Sequence, residues 1–198
     1  MLRVLEKVGS RLRRDAGVGL ERTYLYRRES TEPPPQPVEA EVALVIEPVS
    51  AADLGLLCSL GVDGRDEWEQ RIERGDQCYG AWIGSELVHY SWVQTRGAHT
   101  IAAAGLDMPF RPGELWIYNC RTSAARRGLK IYPRTLQYVM ATEFARGATT
   151  AWIYTAEHNV ASQRGVQRAG FVHVLTLRAL RLGRRYQALA TRCVRDVR

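Results

Sequence analysis

The chain has 198 residues, 45% of them apolar, and carries 28 Lys plus Arg against 21 Asp plus Glu, for a net charge of +7. That length buries a sizeable core without a metal or a disulfide framework, and the apolar fraction is ordinary for a soluble globular domain. No run approaches the roughly 18 apolar residues of a membrane span, the first residues are charged rather than an apolar leader, and four scattered cysteines (Cys58, Cys78, Cys120, Cys193) make neither a zinc-ligand pair nor a disulfide pattern, so a cytoplasmic protein with reduced thiols is expected.

Leu2, Leu5, Val8 and Leu12 fall at helical spacing, with Arg3, Lys7, Arg11 and Arg14 elsewhere on the turn. This predicts a helix laid against the core, with a basic surface for an acyl carrier protein or an anionic membrane surface as the other reading. Thr23 to Arg27 predicts a short strand, and the prolines of residues 31–38 a stiff connection. Residues 1–39 therefore read as an N-terminal extension and 40–198 as the main domain, whose first strand is expected in the run from Glu41.

Residues 53–74 predict two short helices broken near Gly61 to Gly64, with Trp68 and Ile72 on one inward face. Gln77 to Ile83 and Glu86 to Gln94 predict a hairpin turned at Gly84-Ser85, and Thr100 to Leu106 a further strand. Leu115 to Tyr118 is strand-like, Leu115 and Ile117 alternating with Trp116, Tyr118 and Cys120. Ile131, Leu136, Val139, Met140 and Phe144 recur at helical spacing, with Pro133 in the first turn and Gly147 just past the end. Thr149 to Thr155 predicts a strand, Val160 to Ala169 a short helix stopped by Gly170, and 172–179 and 186–193 a last hairpin.

Between the strand at Ile117 and the helix lies Ala-Arg126-Arg127-Gly128-Leu129-Lys130-Ile131-Tyr132-Pro133. A strand–turn–helix leaves backbone N–H groups free at the helix start, where they and the helix dipole favour a bound phosphate. Arg126, Arg127 and Lys130 add side-chain charge there. A helical crossover makes the strands around Ile117 and Ile153 parallel neighbours.

Residues 40–192, and most sharply 114–174, resemble the GCN5-related N-acetyltransferase superfamily. Its acetyl-CoA turn, Arg/Gln-x-x-Gly-x-Gly/Ala, falls on Arg127 to Tyr132, and its later Asn, small residue, Tyr and Gly-Phe fall on Asn159, Ser162, Val166, Gly170 and Phe171 without a gap. The resemblance implies an α/β fold: a mixed, mostly antiparallel twisted sheet with flanking helices and a central splayed parallel strand pair that holds pantetheine. It implies acetyl-CoA or another acyl-CoA as cosubstrate, no metal, and direct transfer to an amine of a small molecule or peptide.

The cofactor-binding residues it implies are Arg127, Gly128, Leu129, Lys130, Ile131, Tyr132, Asn159 and Ser162. His89, Glu114 and Tyr118 are the candidate bases or water holders. Two departures from the pattern matter. Lys130 and Tyr132 replace small residues; Lys130 either contacts a phosphate or faces solvent, and Tyr132 either packs over the helix start or narrows the pocket. Val166 replaces a Tyr that can protonate the leaving thiolate, so Tyr118, water, or no efficient donor takes that part.

A noncatalytic acyl-CoA-binding module and a partner-binding protein on the same fold are the alternatives. A homodimer is compatible with the sequence. The basic balance needs no nucleic acid to explain it, because CoA is itself anionic and no zinc finger, RNP-like strand or basic helix–turn–helix signature is present.

Overall fold

The computed structural model describes residues 18–60, 63–183 and 185–193. The helix expected within residues 2–12 lies outside them. In chain order the elements are β1 (Val18–Glu29), β2 (Val45–Pro48), α1 (Leu54–Leu60), α2 (Arg65–Glu73), β3 (Gln77–Ile83), β4 (Glu86–Gln94), β5 (Ala98–Ile101), β6 (Leu106–Pro109), β7 (Glu114–Thr122), α3 (Ile131–Ala145), β8 (Thr150–Ala156), α4 (Val160–Arg168), β9 (Val172–Leu182) and β10 (Arg185–Cys193). Eight strands form one sheet in the order β10-β9-β1-β8-β7-β4-β3-β2, and β5 and β6 pair separately. Every pairing in the large sheet is antiparallel except β7 with β8.

The N-terminal strand is the main correction to the expected organisation. β1 is twelve residues long and lies inside the sheet, hydrogen-bonded to β8 on one side and β9 on the other. The expected boundary at residue 39 thus falls after a central strand, and the run from Glu41 supplies only the short edge strand β2. Alternation along β1 supplies both cores: Leu25 packs with Ile101, Trp116 and Leu177 on one face, and Tyr26 with Leu115, Ile117, Leu136 and Ile153 on the other.

α3 covers the second face. Leu136, Val139 and Met140 point into the sheet, as their spacing predicts. Glu143 shares that buried side and accepts from the Tyr79 hydroxyl and, at 2.9 Å, from Arg146, so its carboxylate is partnered rather than orphaned. On the first face, α1 and α2 bury Leu57 and Trp68 against Tyr90 and Trp92. Trp68 is fully buried, whereas Ile72, expected beside it, is 41% exposed. The strand expected from Thr100 to Leu106 is instead the β5–β6 hairpin, broken by a 3-10 turn at Ala102–Ala104 that packs against β1, β9 and β10. Its Ile101 and Ala104 close the Leu25–Trp116–Leu177 core.

Candidate active site

The parallel pairing of β7 with β8 is short. Glu114, Leu115 and Trp116 pair with Thr150, Ala151 and Trp152, and no pairing follows. Beyond Trp116 the two strands part into a fork, each remaining bonded to its outer neighbour: β7 to β4, and β8 to β1.

The parting has a local cause. In the β4–β7 ladder, Tyr90 faces Arg121 and Trp92 faces Tyr118, so Asn119 and Cys120 together oppose Ser91. That is a β-bulge, which bends the strand and shifts the side-chain phase by one. Asn119 takes the left-handed conformation (φ 45°), which Asn tolerates better than most residues. Its amide donates to the Asp63 carboxylate, which also accepts from Arg71 at 2.8 Å. Burial alone pushes the Asp63 carboxyl up, but the hydrogen bonds from Arg71 and Asn119 together hold it below the ordinary value. The α1–α2 loop thereby pins the bulge.

The bulge also sends neighbouring side chains to opposite faces. Tyr118 joins Trp116 on the outer face, beside α1, α2 and the β5–β6 hairpin, whereas Cys120 packs on the α3 face. This corrects the strict alternation that put Cys120 with Tyr118. Burial pushes the Cys120 thiol up to about 12, so it is a partly buried, protonated thiol rather than a nucleophile.

Past the bulge the chain makes the turn the sequence singled out. Gly128 (φ 87°) and Lys130 (φ 57°) are both left-handed, and α3 begins at Ile131. Among the described residues no backbone carbonyl accepts from the N–H groups of Gly128, Leu129, Lys130 or Ile131. Arg127 is exposed and makes no ion pair among the described residues, while Lys130 pairs with Glu41 at 3.0 Å and Arg126 with Glu86 at 2.7 Å. Lys130 thus adopts neither expected role outright: its ammonium is engaged by a half-exposed carboxylate. Across the fork, Asn159 caps α4, its side chain accepting from the Ser162 N–H at 3.1 Å.

Tyr132 spans the two sides. Its ring lies 5.6 Å from that of His89 on β4. It packs so closely on α4 that a Cβ at Gly165 would sit 2.6 Å from its ring, and its hydroxyl is 3.4 Å from Ser162 Oγ. The absence of a side chain at Gly165 is what lets the ring in. The Tyr132 ring thus occupies the gap between α3 and α4. Val166 beside it is fully buried in the α3-side core.

The three candidate catalytic residues separate. His89 is fully buried; Nδ1 bonds Thr122 Oγ1 at 2.7 Å and Nε2 bonds Ser91 Oγ at 2.9 Å. Burial lowers its pKa to about 3, and with both nitrogens engaged it is a structural group. Glu114 precedes the fork, at the first parallel pair, and accepts from the Arg111 N–H at 2.9 Å, closing a turn. Only Tyr118 lies at the fork on the outer face, and its hydroxyl donates to Asp76 Oδ2 at 2.6 Å. Burial and that hydrogen bond push the phenol far above its ordinary value.

Sequence reading missed Asp76, Arg71 and His99. Asp76 accepts from Tyr118 and, at 2.8 Å, from Arg74, while its Oδ1 is buried without a partner. The Arg71 guanidinium lies 5.3–5.5 Å from the ring centroids of Trp68, Trp92 and Tyr118. A cavity of about 120 Å³ lies beside them, between Leu57, Ile72, Asp76, Cys78 and Trp92. It is too small for a nucleotide and shares no lining residue with the Arg127–Tyr132 turn. An Asp after a helix and a His between turns carry no sequence signal of their own; only the fold brings them to Tyr118.

No family model matches the sequence, and no curated protein matches it. Solved structures do match. A GNAT-family acetyltransferase from Colwellia psychrerythraea is 13% identical, with a TM-score of 0.59 over 92% of this chain and 62% of its own. A GCN5-related N-acetyltransferase from Sphaerobacter thermophilus is 16% identical, with a TM-score of 0.60 over 96% of this chain and 57% of its own. An acetyltransferase from Bacillus subtilis in complex with CoA is 21% identical, with a TM-score of 0.50 over 67% of this chain and 80% of its own. The fold is that of the GCN5-related N-acetyltransferases. The chain spans about 60% of the length of the first two relatives. Among the described residues no group of three metal-ligating side chains converges, and no helix is long and apolar enough to cross a membrane.

Proposed function

We propose that the protein binds acyl-CoA along the β7–β8 fork and transfers the acyl group directly to an amine of a small molecule or peptide. The observation that carries this reading is the fork itself, opening after Trp116 and Trp152 with the unclaimed N–H groups of Gly128 to Ile131 at its mouth. Parted strand edges offer backbone donors and acceptors to an extended amide chain such as pantetheine. The N–H groups at the start of α3 suit a diphosphate, and Arg127, exposed beside them, adds charge. Asn159 serves by holding the first turn of α4, and Ser162 by lining the opposite side. The relative from Bacillus subtilis carries CoA on this fold, which supports the assignment of the cosubstrate.

A reactive amine held against the thioester carbon at the fork would attack without an acyl-enzyme, since the thiol nearby, Cys120, is partly buried and protonated. On this reading the β7 backbone at the bulge, where the ladder to β4 is interrupted, supplies the oxyanion donors. The pantetheine arm then passes through the α3–α4 gap that the Tyr132 ring fills, so on this reading binding includes a rotation of that ring. Tyr132 and Val166 also favour a second reading, a domain that binds acyl-CoA without efficient transfer.

Calorimetry with acetyl-CoA and longer acyl-CoAs, followed by thiol-release assays over a panel of amines, separates the two. Micromolar binding with amine-dependent thiol release supports transfer. Binding without product supports the noncatalytic domain, and no binding overturns both. In Arg127→Ala, affinity should fall by a factor equivalent to about 1.5–3 kcal/mol before solvent screening.

A further inference from the structure

His99 sits on β5, in the hairpin that covers the outer face of the fork, and is 4% exposed. Its ring stacks on Trp116 at 4.8 Å and lies 5.1 Å from Tyr118 and 5.8 Å from Tyr154. Trp116 and Tyr118 belong to β7 and Tyr154 to β8. The imidazole therefore bridges both arms at the point where they part, on the face opposite α3.

The protonation state of the ring follows from its neighbour. Gln94 Nε2 donates to the carbonyls of Arg96 and Ala98 at 3.1 and 3.2 Å. This fixes the amide so that Gln94 Oε1 faces His99 Nδ1 at 2.8 Å. A carbonyl oxygen only accepts, so Nδ1 carries the hydrogen and Nε2 keeps its lone pair. Nε2 is buried and has no hydrogen-bond partner. A buried basic nitrogen left unmatched costs free energy, and it is held with its tautomer locked. The charged and titratable groups facing the ring are Asp76 and Arg74 from the α2–β3 junction, Tyr118 from β7 and Tyr154 from β8. Burial keeps the imidazole neutral at physiological pH, and the unpartnered Asp76 Oδ1 supplies negative charge near the nitrogen that becomes cationic on attack.

Resting on the acyl-transfer reading above, we infer that His99 Nε2 is the proton acceptor for the attacking primary amine. The amine lone pair attacks the thioester carbonyl carbon. The carbon–sulfur bond breaks and its electron pair leaves with sulfur as CoA thiolate. The proton lost by the nitrogen goes to Nε2 and from there to the thiolate or water, which leaves amide and CoA thiol as products. A neutral, tautomer-locked imidazole at the fork does what His89, with both nitrogens engaged, and Tyr118, with its proton committed to Asp76, do not.

The test uses the full chain with acetyl-CoA and the best acceptor from a panel of aliphatic and arylalkyl primary amines. In His99→Gln, acetyl-CoA affinity should be unchanged while kcat falls about 10²–10⁴-fold. The residual rate should climb with pH more steeply than the native rate, as hydroxide takes over the proton. Equal kcat in the folded variant overturns the role of His99 alone, and a native protein that acetylates no amine overturns the transfer reading with it. If His99→Gln does not fold, nitrogen-15 shifts of the imidazole in the native protein decide. A hydrogen on Nδ1 and a lone pair on Nε2 support the inference, and a hydrogen on Nε2 overturns it.

Discussion

The Tyr118 hydroxyl donates to Asp76 at 2.6 Å, joining the bulged strand β7 to the start of β3 across 42 residues of sequence. Asp76 is closed off from water, and one of its oxygens has no other support than that phenol and the half-exposed Arg74.

Removing the phenol therefore acts first on stability. Tyr118→Phe keeps the ring against Arg71 and His99 but leaves Asp76 with Arg74 alone. The expected loss is about 1–3 kcal/mol, the cost of an under-satisfied buried acceptor. Urea unfolding measures it, and a midpoint equal to the parent's would show the hydrogen bond contributes nothing net.

Tyr132 gives the opposite expectation for binding. Rotating its ring out of the α3–α4 gap exposes roughly a side chain's worth of apolar surface, about 1.5–3 kcal/mol. Tyr132→Ala should thus bind acetyl-CoA about tenfold or more tightly than the parent, although it is itself less stable. Gly165→Ala, whose Cβ would meet the ring at 2.6 Å, should shift affinity in the same direction. Calorimetry on both checks this; weaker binding in both would mean the ring is part of the cofactor seat.

Lys130 carries a left-handed backbone at the turn. A residue with a Cβ gives up about 1–2 kcal/mol there, and glycine recovers part of it against its larger unfolded-state entropy. The exposed pair with Glu41 adds about 0–1 kcal/mol. Lys130→Gly should lie within about 1 kcal/mol of the parent, whereas Lys130→Val, β-branched, should lose more than about 1 kcal/mol. Thermal melts of the pair test the conformation itself, since a right-handed turn would tolerate both.

Two buried histidines set an acid limit. Burial lowers His89 to about 3 and His99 to about 4 from the ordinary 6.5. Below pH 6.5 the unfolded chain takes up protons that the folded chain refuses. The stability present above 6.5 is lost as pH falls toward those values, by about 1.4 kcal/mol per pH unit for each histidine. Denaturation midpoints between pH 6.5 and 4.5 should decline accordingly, and His89→Gln should roughly halve the slope. A slope that the substitution leaves untouched would place the acid sensitivity elsewhere.

From β3 onward, the β5–β6 hairpin apart, the element order was legible in the residues. The hairpin turned at Gly84-Ser85, the strand at Leu115, the apolar spacing of α3 and the stop at Gly170 all rest on backbone preferences within a few residues of chain. The helical crossover predicted the parallel pair, and the resemblance its fork. β1 was underestimated because a twelve-residue strand rich in Arg and Glu shows little alternation; its burial comes from neighbours more than 120 residues away.

The site itself divides along the same line. The sequence by itself determined where the chain turns from β7 into α3 and which charges stand there, because φ preferences and helix starts are local. Only the tertiary structure decided that Asn119 bulges against Ser91, that Tyr132 fills the gap Gly165 leaves, that Glu41 claims Lys130, and that Asp76 and His99 meet Tyr118. These contacts join residues from about 20 to nearly 90 positions apart in the chain. Their energies come from desolvation and packing, which exist only once the strands have been brought side by side.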